Sequence, residues 1–239
     1  MSAHGLHVRL RQAGPIPLAV ELSCGEAELL ALVGPSGSGK TTVLRAVAGL
    51  YRPQHGKVTC AGASWLDTDS GLDLPPHRRR VGLVFQSYAL FPHMTALGNI
   101  VAALHHRPAA EREERGRALL ALVHLEGLEA RRPAELSGGQ QQRVAVARAL
   151  AREPDVLLLD EPFSAVDRRT RRKLHEDLAE LRQSVHVPIV LVTHDIDEAV
   201  ALADRICVLD CGESLQTGKP AEVLAAPASE RVAAALDLP

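Results

Sequence analysis

Five short runs along the chain carry no charged residue: Leu29–Val33, Val81–Phe85, Val156–Leu159, Ile189–Val192 and Ile206–Leu209. Each has strand length and is apolar on both faces, the pattern of parallel strands that helices cover on both sides. The last four lead into longer segments or turns, which predicts an α/β architecture. Ahead of the first run, His7–Leu10 and Leu18–Leu22 alternate apolar and polar residues, and this predicts antiparallel strands at an edge. Between Ser87 and Arg152 the texture changes to helix formers, with a 3.6-residue apolar spacing over Ala109–Val123, so an inserted helical subdomain is expected there. Ser64–Arg80, with Gly71, Pro75 and Pro76, reads as a loop.

Composition narrows the function classes. At 239 residues and 46% hydrophobic, the chain suits one large domain or a core with an inserted subdomain. A net charge of -2, from 27 basic and 29 acidic side chains that interleave closely, gives no sustained field for a polyanion, so no nucleic-acid partner is expected. Cys24, Cys60, Cys207 and Cys211 are too sparse for a disulfide framework and lack the paired spacing of a zinc site, so they read as reduced thiols of a cytosolic protein. The N-terminus lacks the basic-then-apolar pattern of a secretory signal, and no run of about 18 apolar residues spans a bilayer. Any membrane role is expected to come through a partner.

The strongest chemical signal follows the first apolar run. Gly34-Pro35-Ser36-Gly37-Ser38-Gly39-Lys40-Thr41 fits G-x-x-x-x-G-K-[ST] between a predicted strand and the helical stretch Thr42–Leu50. Glycines let the backbone curl so that successive N–H groups face a phosphate chain, and the helix N-terminus adds the positive end of its dipole. Lys40 is expected to reach the β- and γ-phosphates, and the Thr41 hydroxyl to bind Mg²⁺. A ligand-free glycine turn is the bland alternative, but the pattern should arise by chance in only on the order of one in a hundred chains of this length. Alone, it says no more than nucleoside triphosphate.

Two further strands end in chemistry. Val156-Leu157-Leu158-Leu159 runs into Asp160-Glu161, and in an open α/β sheet ligands sit beyond the carboxyl ends of the strands. Asp160 is expected to hold Mg²⁺ through water, and Glu161 to orient or deprotonate the attacking water. Val190-Leu191-Val192-Thr193 runs into His194, which is positioned to donate to a γ-phosphate oxygen.

Leu136-Ser137-Gly138-Gly139-Gln140 resembles the signature of ABC transporter ATPases, and the resemblance extends over nearly the whole chain. Gln86 resembles the family's Q-loop glutamine, and Ser164-Ala165-Val166-Asp167 its D-loop. The resemblance implies a P-loop NTPase (RecA-like) core with an antiparallel β subdomain, formed by 1–86 and 153–239, and a helical signature subdomain over 87–152. It implies ATP and Mg²⁺ as cofactors, with Gly34–Thr42 of one copy and Ser137–Gln140 of a second copy on either side of ATP in a head-to-tail homodimer. Asp167 joins the nucleotide-binding set, Glu161, His194 and Gln86 the catalytic set, and Thr41, Gln86 and Asp160 the metal set. Gln86 and the helical subdomain are implied to face transmembrane permease subunits on the cytoplasmic side of the inner membrane, served in turn by a substrate-binding protein.

One departure stands out: family members place an adenine-stacking aromatic upstream of the phosphate loop, and Met1–Val33 contains no Phe, Tyr or Trp. Leu74–Gly82, Val84–Gln86 and Leu90–Thr95 are most similar to importer ATPases for molybdate, sulfate, ferric iron and polyamines, with sugar a further alternative cargo, and the Asp-Leu-Pro-Pro-His-Arg-Arg-Arg run together with the missing aromatic leans toward the molybdate type. With the sequence ending at Pro239, the regulatory domain that many of these carry is not expected within it. The clusters Arg78–Arg80 and Arg168–Lys173, with Arg143 and Arg148, read as solvated or paired side chains. A non-transport ABC clamp and a P-loop kinase are the competing classes; the first needs a long insertion or a second core, and the second leaves the signature unexplained.

Overall fold

In the computed structural model, residues 5–164 and 166–238 are described. Ala165, in the D-loop segment, lies outside them. The elements in chain order are β1 Leu6–Gln12, β2 Leu18–Cys24, β3 Leu29–Val33, α1 Lys40–Val47, β4 His55–Cys60, β5 Ala63–Asp67, β6 Leu72–Asp73 and β7 Val81–Val84. They continue as α2 Ala96–Val101, α3 Ala109–Leu122, α4 Gly138–Leu150, β8 Val156–Asp160, α5 Arg168–Ser184, β9 Ile189–Val192 and α6 Ile196–Leu202. β10 Arg205–Asp210, β11 Glu213–Gly218, α7 Pro220–Ala225 and α8 Glu230–Ala235 complete the chain. Each of the five apolar runs holds a strand, and the chain is α/β as its pattern predicts.

Two compact units form, one from Met1–Arg79 with His186–Pro239 and one from Arg80–Val185. In the first, the strand order is β6-β5-β4-β1-β2-β11-β10-β3-β9. β3 and β9, buried at every position, pair in parallel from Leu29 opposite Ile189 to Leu32 opposite Val192. β10 flanks β3 on its other side, also in parallel. Ala31, Val33, Ile206 and Val208 carry one face of these strands into a core closed by Ala199, Val223, Val232 and Leu236 from α6, α7 and α8 and the turn after α8. Parallel strands covered in this way need no polar face, which is why their sequence shows no alternation.

β1 and β2 do alternate, and they pair antiparallel, but β1 is not at an edge: β4 pairs with its far side, Val8 opposite Val58. The covering strands come from a stretch whose later part, Ser64–Arg80, the sequence pattern assigns to a loop. It holds most of β5, all of β6 and a single turn of 3-10 helix at Pro76–Arg78. A register shift between Val58 and Thr59 places Trp65 and Leu66 both inside, so the two-residue period that marks a strand is broken.

In the second unit β7 pairs in parallel with β8, Val81 opposite Val156 through Val84 opposite Leu159. Compactness groups these strands and α5 with the helices α2, α3 and α4. The fully buried Asn99 of α2 fixes the preceding turn by accepting from Phe91 N and donating to Phe91 O and Thr95 O. Thr95 caps the same helix by accepting from Gly98 N at 3.0 Å.

Candidate nucleotide site

The phosphate loop is shaped by what its glycines permit. Gly34, Gly37 and Gly39 have φ of 140°, 81° and 98°. A Cβ on Gly34 would fall 1.9 Å from Leu209 O, so only glycine brings the end of β3 this close to β10. Gly39 is the N-cap of α1, with no side-chain cap and no acidic residue in the first turn. The amides of that first turn have no acceptor within the helix and lie at the positive end of its dipole, an anion-binding arrangement. Lys40, 5% exposed, donates from Nζ to Gly34 O and Pro35 O, both at 2.8 Å, and to Ser38 Oγ at 3.3 Å, which lays its ammonium along the loop. Pro35, Ser36 and Gly37 are exposed at the crest. Removing the ammonium deletes a charge-assisted contact worth about 1.5–3 kcal/mol. Lys40→Ala is therefore expected to weaken triphosphate binding roughly tenfold to hundredfold; unchanged affinity in a titration with labelled nucleotide would refute the assignment.

The turn Cys211–Gly212 braces this loop, since Gly212 N donates to Ser38 O at 2.9 Å while Gly212 O accepts from Ala19 N at 2.8 Å. Beside it, the connection from β1 to β2 presents Ile16, 40% exposed, in the stretch that lacks an aromatic residue.

His194 follows β9, the parallel neighbour of β3, so it emerges at the same strand ends as the phosphate loop. Its turn is built by its neighbours. Thr193 Oγ1 donates to Glu198 Oε2 at 2.7 Å, Asp195 N donates to Thr193 Oγ1 at 3.0 Å, and Asp195 caps α6 by accepting from Asp197 N and Glu198 N. With those polar groups engaged, the His194 imidazole is left on the exposed side.

In the second unit, the buried strand β8 ends at Asp160, 9% exposed, and Glu161 turns the chain with φ of 46°. A non-glycine residue in that region costs on the order of 1 kcal/mol or more and is held by its surroundings. Here Ser164 Oγ donates to Glu161 O at 2.9 Å, and Gln86 Nε2 donates to Glu161 Oε2 at 3.2 Å and lies 3.4 Å from Ser164 Oγ. The structure thus joins three sequence-predicted residues, Gln86, Glu161 and Ser164, through side chains.

The signature segment forms a helix start. Ser137 Oγ accepts from Gln140 N at 3.3 Å and Gln140 Oε1 accepts from Ser137 N at 2.9 Å, a reciprocal capping box at the head of α4. Ser137 and Gly138 are exposed, while Gly139 is buried because a Cβ there would meet Thr170 Cγ2 of α5 at 2.7 Å. Asp167 caps α5 by accepting from Arg169 N, Thr170 N and Thr170 Oγ1, and these hydrogen bonds, the Thr170 hydroxyl foremost, hold its carboxyl below the usual range.

Four arginines read as surface or pairing groups have defined partners. Arg143 pairs with Asp177 at 3.0 Å, and Arg80 with Asp155 at 3.5 Å. Arg79 is 2% exposed rather than solvated, and Arg148 reaches the backbone beyond Gln86. Their acceptors are largely main-chain carbonyls, which leave no mark in a sequence.

The sequence model of a family described as ABC transporter matches residues 18–164. A protein named Fe(3+) ions import ATP-binding protein FbpC, from Rhizobium etli, is 50% identical over 90% of this chain and 60% of its own length. A spermidine/putrescine import ATP-binding protein PotA from Pseudomonas fluorescens is 45% identical over 92% of this chain and 60% of its own. A sulfate/thiosulfate import ATP-binding protein CysA 2 from Chromobacterium violaceum is 48% identical over 89% and 57%. The chain thus spans about 60% of the length of the curated relatives it matches. Among solved structures, a dimeric post-hydrolysis state of the ATP-binding cassette MJ0796 bound to ADP and Pi superimposes with a TM-score of 0.74 at 33% identity, covering 90% of this chain and 98% of that one.

Proposed function

We propose, from the premise that the chain belongs to the ABC transporter family, that it is the ATP-binding and ATP-hydrolysing subunit of an importer whose permease subunits are separate chains. The observation that carries the reading is the coexistence of two helix-start anion sites: the uncapped head of α1 behind Gly34–Thr42 and the exposed, serine-capped head of α4 at Ser137–Gln140. A monomeric kinase or GTPase has use for the first alone. The second has a purpose when a second copy presents it to the triphosphate held by the first, and the similar MJ0796 structure is a dimer.

Within such a site the residues divide the chemistry. Lys40 and the loop amides bind phosphate oxygens, Glu161 orients and deprotonates the attacking water, and His194 donates to a γ-phosphate oxygen. The hydroxyl of Thr41, the carboxylate of Asp160 and the amide of Gln86 are hard oxygen donors that fit Mg²⁺, which, when bound, neutralises phosphate charge. Among the described residues no group of three or more His, Cys, Asp or Glu forms a protein-only metal cage, consistent with an ion carried mainly by substrate phosphates.

No helix among the described residues is long and apolar enough to cross a membrane, so in this reading transport requires permease partners, with the chain peripheral on the cytoplasmic face. The second unit carries a groove of about 400 Å³ lined by Leu83, Phe85, Ala89, Phe91, Ala103 and Arg148, in which Phe91 is 43% exposed. An apolar groove beside Gln86 is where a permease segment would seat. The names of the relatives support the import direction, and a substrate-binding protein is part of the proposal as the partner that would deliver the cargo. Those names support ferric iron, polyamine or sulfate as cargo; the lean toward a molybdate-like oxyanion rests on the Asp73–Arg80 run and the missing aromatic, not on these relatives. Serial dilution tests the shared site: specific ATPase activity per mole should fall as copies separate, and constant specific activity at high dilution would sink the reading.

A further inference from the structure

We infer that Arg148 is a positioning residue for ATP hydrolysis: it holds a strained turn just beyond Gln86, and through that turn it sets the hydrogen bond from Gln86 to Glu161. The inference rests on the ATPase reading above. Arg148 lies in the last turn of α4. Its Nη1 donates to Ala89 O at 2.7 Å and its Nη2 to Tyr88 O at 2.8 Å, so the two prongs of the guanidinium grip two successive carbonyls. Those carbonyls belong to the two consecutive non-glycine residues with left-handed backbone, Tyr88 at φ 61° and Ala89 at φ 46°. Each such residue is disfavoured by roughly fivefold to thirtyfold against its ordinary conformation. Two in succession persist only where something outside the turn restrains them.

The turn is tied to the chemistry at its near end. Tyr88 N donates to Phe85 O at 2.8 Å across Gln86, and the buried Tyr88 hydroxyl donates to Pro162 O at 3.3 Å, one residue after Glu161. Gln86 itself donates to Glu161 Oε2. Release of the turn would therefore move both contacts on the Asp160–Pro162 segment together. At its far end, Arg148 Cζ sits 5.6 Å from the centroid of the Phe91 ring, and both side chains line the groove. Burial lowers the Arg148 pKa from its usual value, the mark of a cation held among carbonyls and a ring rather than in water. The sequence assigns this arginine no role; the pairing of its fork with a strained turn does.

The test compares the full chain with Arg148→Met and with Arg148→Met in an Ala89→Gly background. Methionine keeps most of the volume and deletes every donor. Its kcat is expected to fall roughly fivefold to thirtyfold, the bias of one released left-handed residue, with KM for ATP within about twofold because ground-state binding is untouched. Deuterium uptake at the Tyr88 amide should accelerate by about the same factor. Glycine at 89 tolerates the positive φ and adds no contact, so it should restore at least about a third of the lost rate and protection. A purely structural role for Arg148 predicts no such rescue. Wild-type kcat and uptake in Arg148→Met, or a loss that Ala89→Gly does not lessen, would overturn the inference. Should Arg148→Met fail to fold, Arg148→Lys, with a single point donor, is expected to show the same changes at smaller amplitude, and wild-type values there would equally overturn it. Absence of ATPase activity in the unaltered chain would instead refute the function itself, while uptake at Tyr88 would still decide whether Arg148 holds the turn.

Discussion

Glu161→Gln should lower ATP turnover by at least about a hundredfold, the range expected when a general base is removed, while leaving nucleotide affinity nearly unchanged. The substitution is close to isosteric. It keeps the carbonyl oxygen that can accept from Gln86 Nε2, and the backbone contact from Ser164 Oγ to Glu161 O does not involve the side chain. What is lost is the carboxylate that, in the proposed mechanism, takes a proton from water. If ATP is held between two copies and hydrolysis opens them, the variant should accumulate as an ATP-dependent dimer, detected by size-exclusion chromatography with and without ATP. Single-turnover phosphate release gives the rate. Turnover within about fivefold of the unaltered chain would remove Glu161 from the mechanism, and a variant that stays monomeric with saturating ATP would remove the shared site.

The positions of these candidate residues were readable because they follow from strand topology. Glu161 and His194 each stand just past the end of a charge-free run, and the Gly34–Thr41 spacing encodes a backbone shape directly. Strands buried on both faces announce themselves as unbroken apolar runs, so β3 and β9 were legible in full and β8 all but its last residue, Asp160. β5 was not, because its bulge puts Trp65 and Leu66 on the same side and erases the alternation. Arg79 was misread for another reason. A run such as His77-Arg78-Arg79-Arg80 has the look of a solvated charged face, and its side chains do diverge: Arg78 is exposed, Arg79 is buried, and Arg80 reaches Glu153 O and Asp155. Burial of one arginine among three depends on carbonyls supplied by a distant helix end, which no local pattern encodes.

Arg79 shows what that burial does for the site. Its Nη1 donates to Ala46 O and Val47 O, both at 2.8 Å, and so caps the C-terminus of α1, the helix whose other end follows the Gly34–Gly39 loop. Nε donates to Leu74 O at 2.8 Å and Nη2 to Asp73 Oδ1 at 2.9 Å. Burial pulls the guanidinium pKa down, and Asp73 acts against that shift. A cation is thus placed at the negative end of the α1 dipole, where it satisfies carbonyls that the helix cannot. Arg79→Met would remove the buried cation, leaving Val47 O without its guanidinium donor, Ala46 O with Gly49 N and Asp73 with the exposed Arg52, a loss expected to cost about 3–5 kcal/mol in stability. For a chain of this size that corresponds to a fall in Tm on the order of 10 °C. Because the released end belongs to the phosphate-loop helix, nucleotide affinity should fall with stability, and saturating ATP should recover part of the lost Tm by mass action. Thermal unfolding with and without Mg-ATP measures both. An Arg79→Met variant whose Tm stays within about 2 °C of the unaltered chain, less than one kcal/mol, would show that water replaces the guanidinium at the end of α1 without cost.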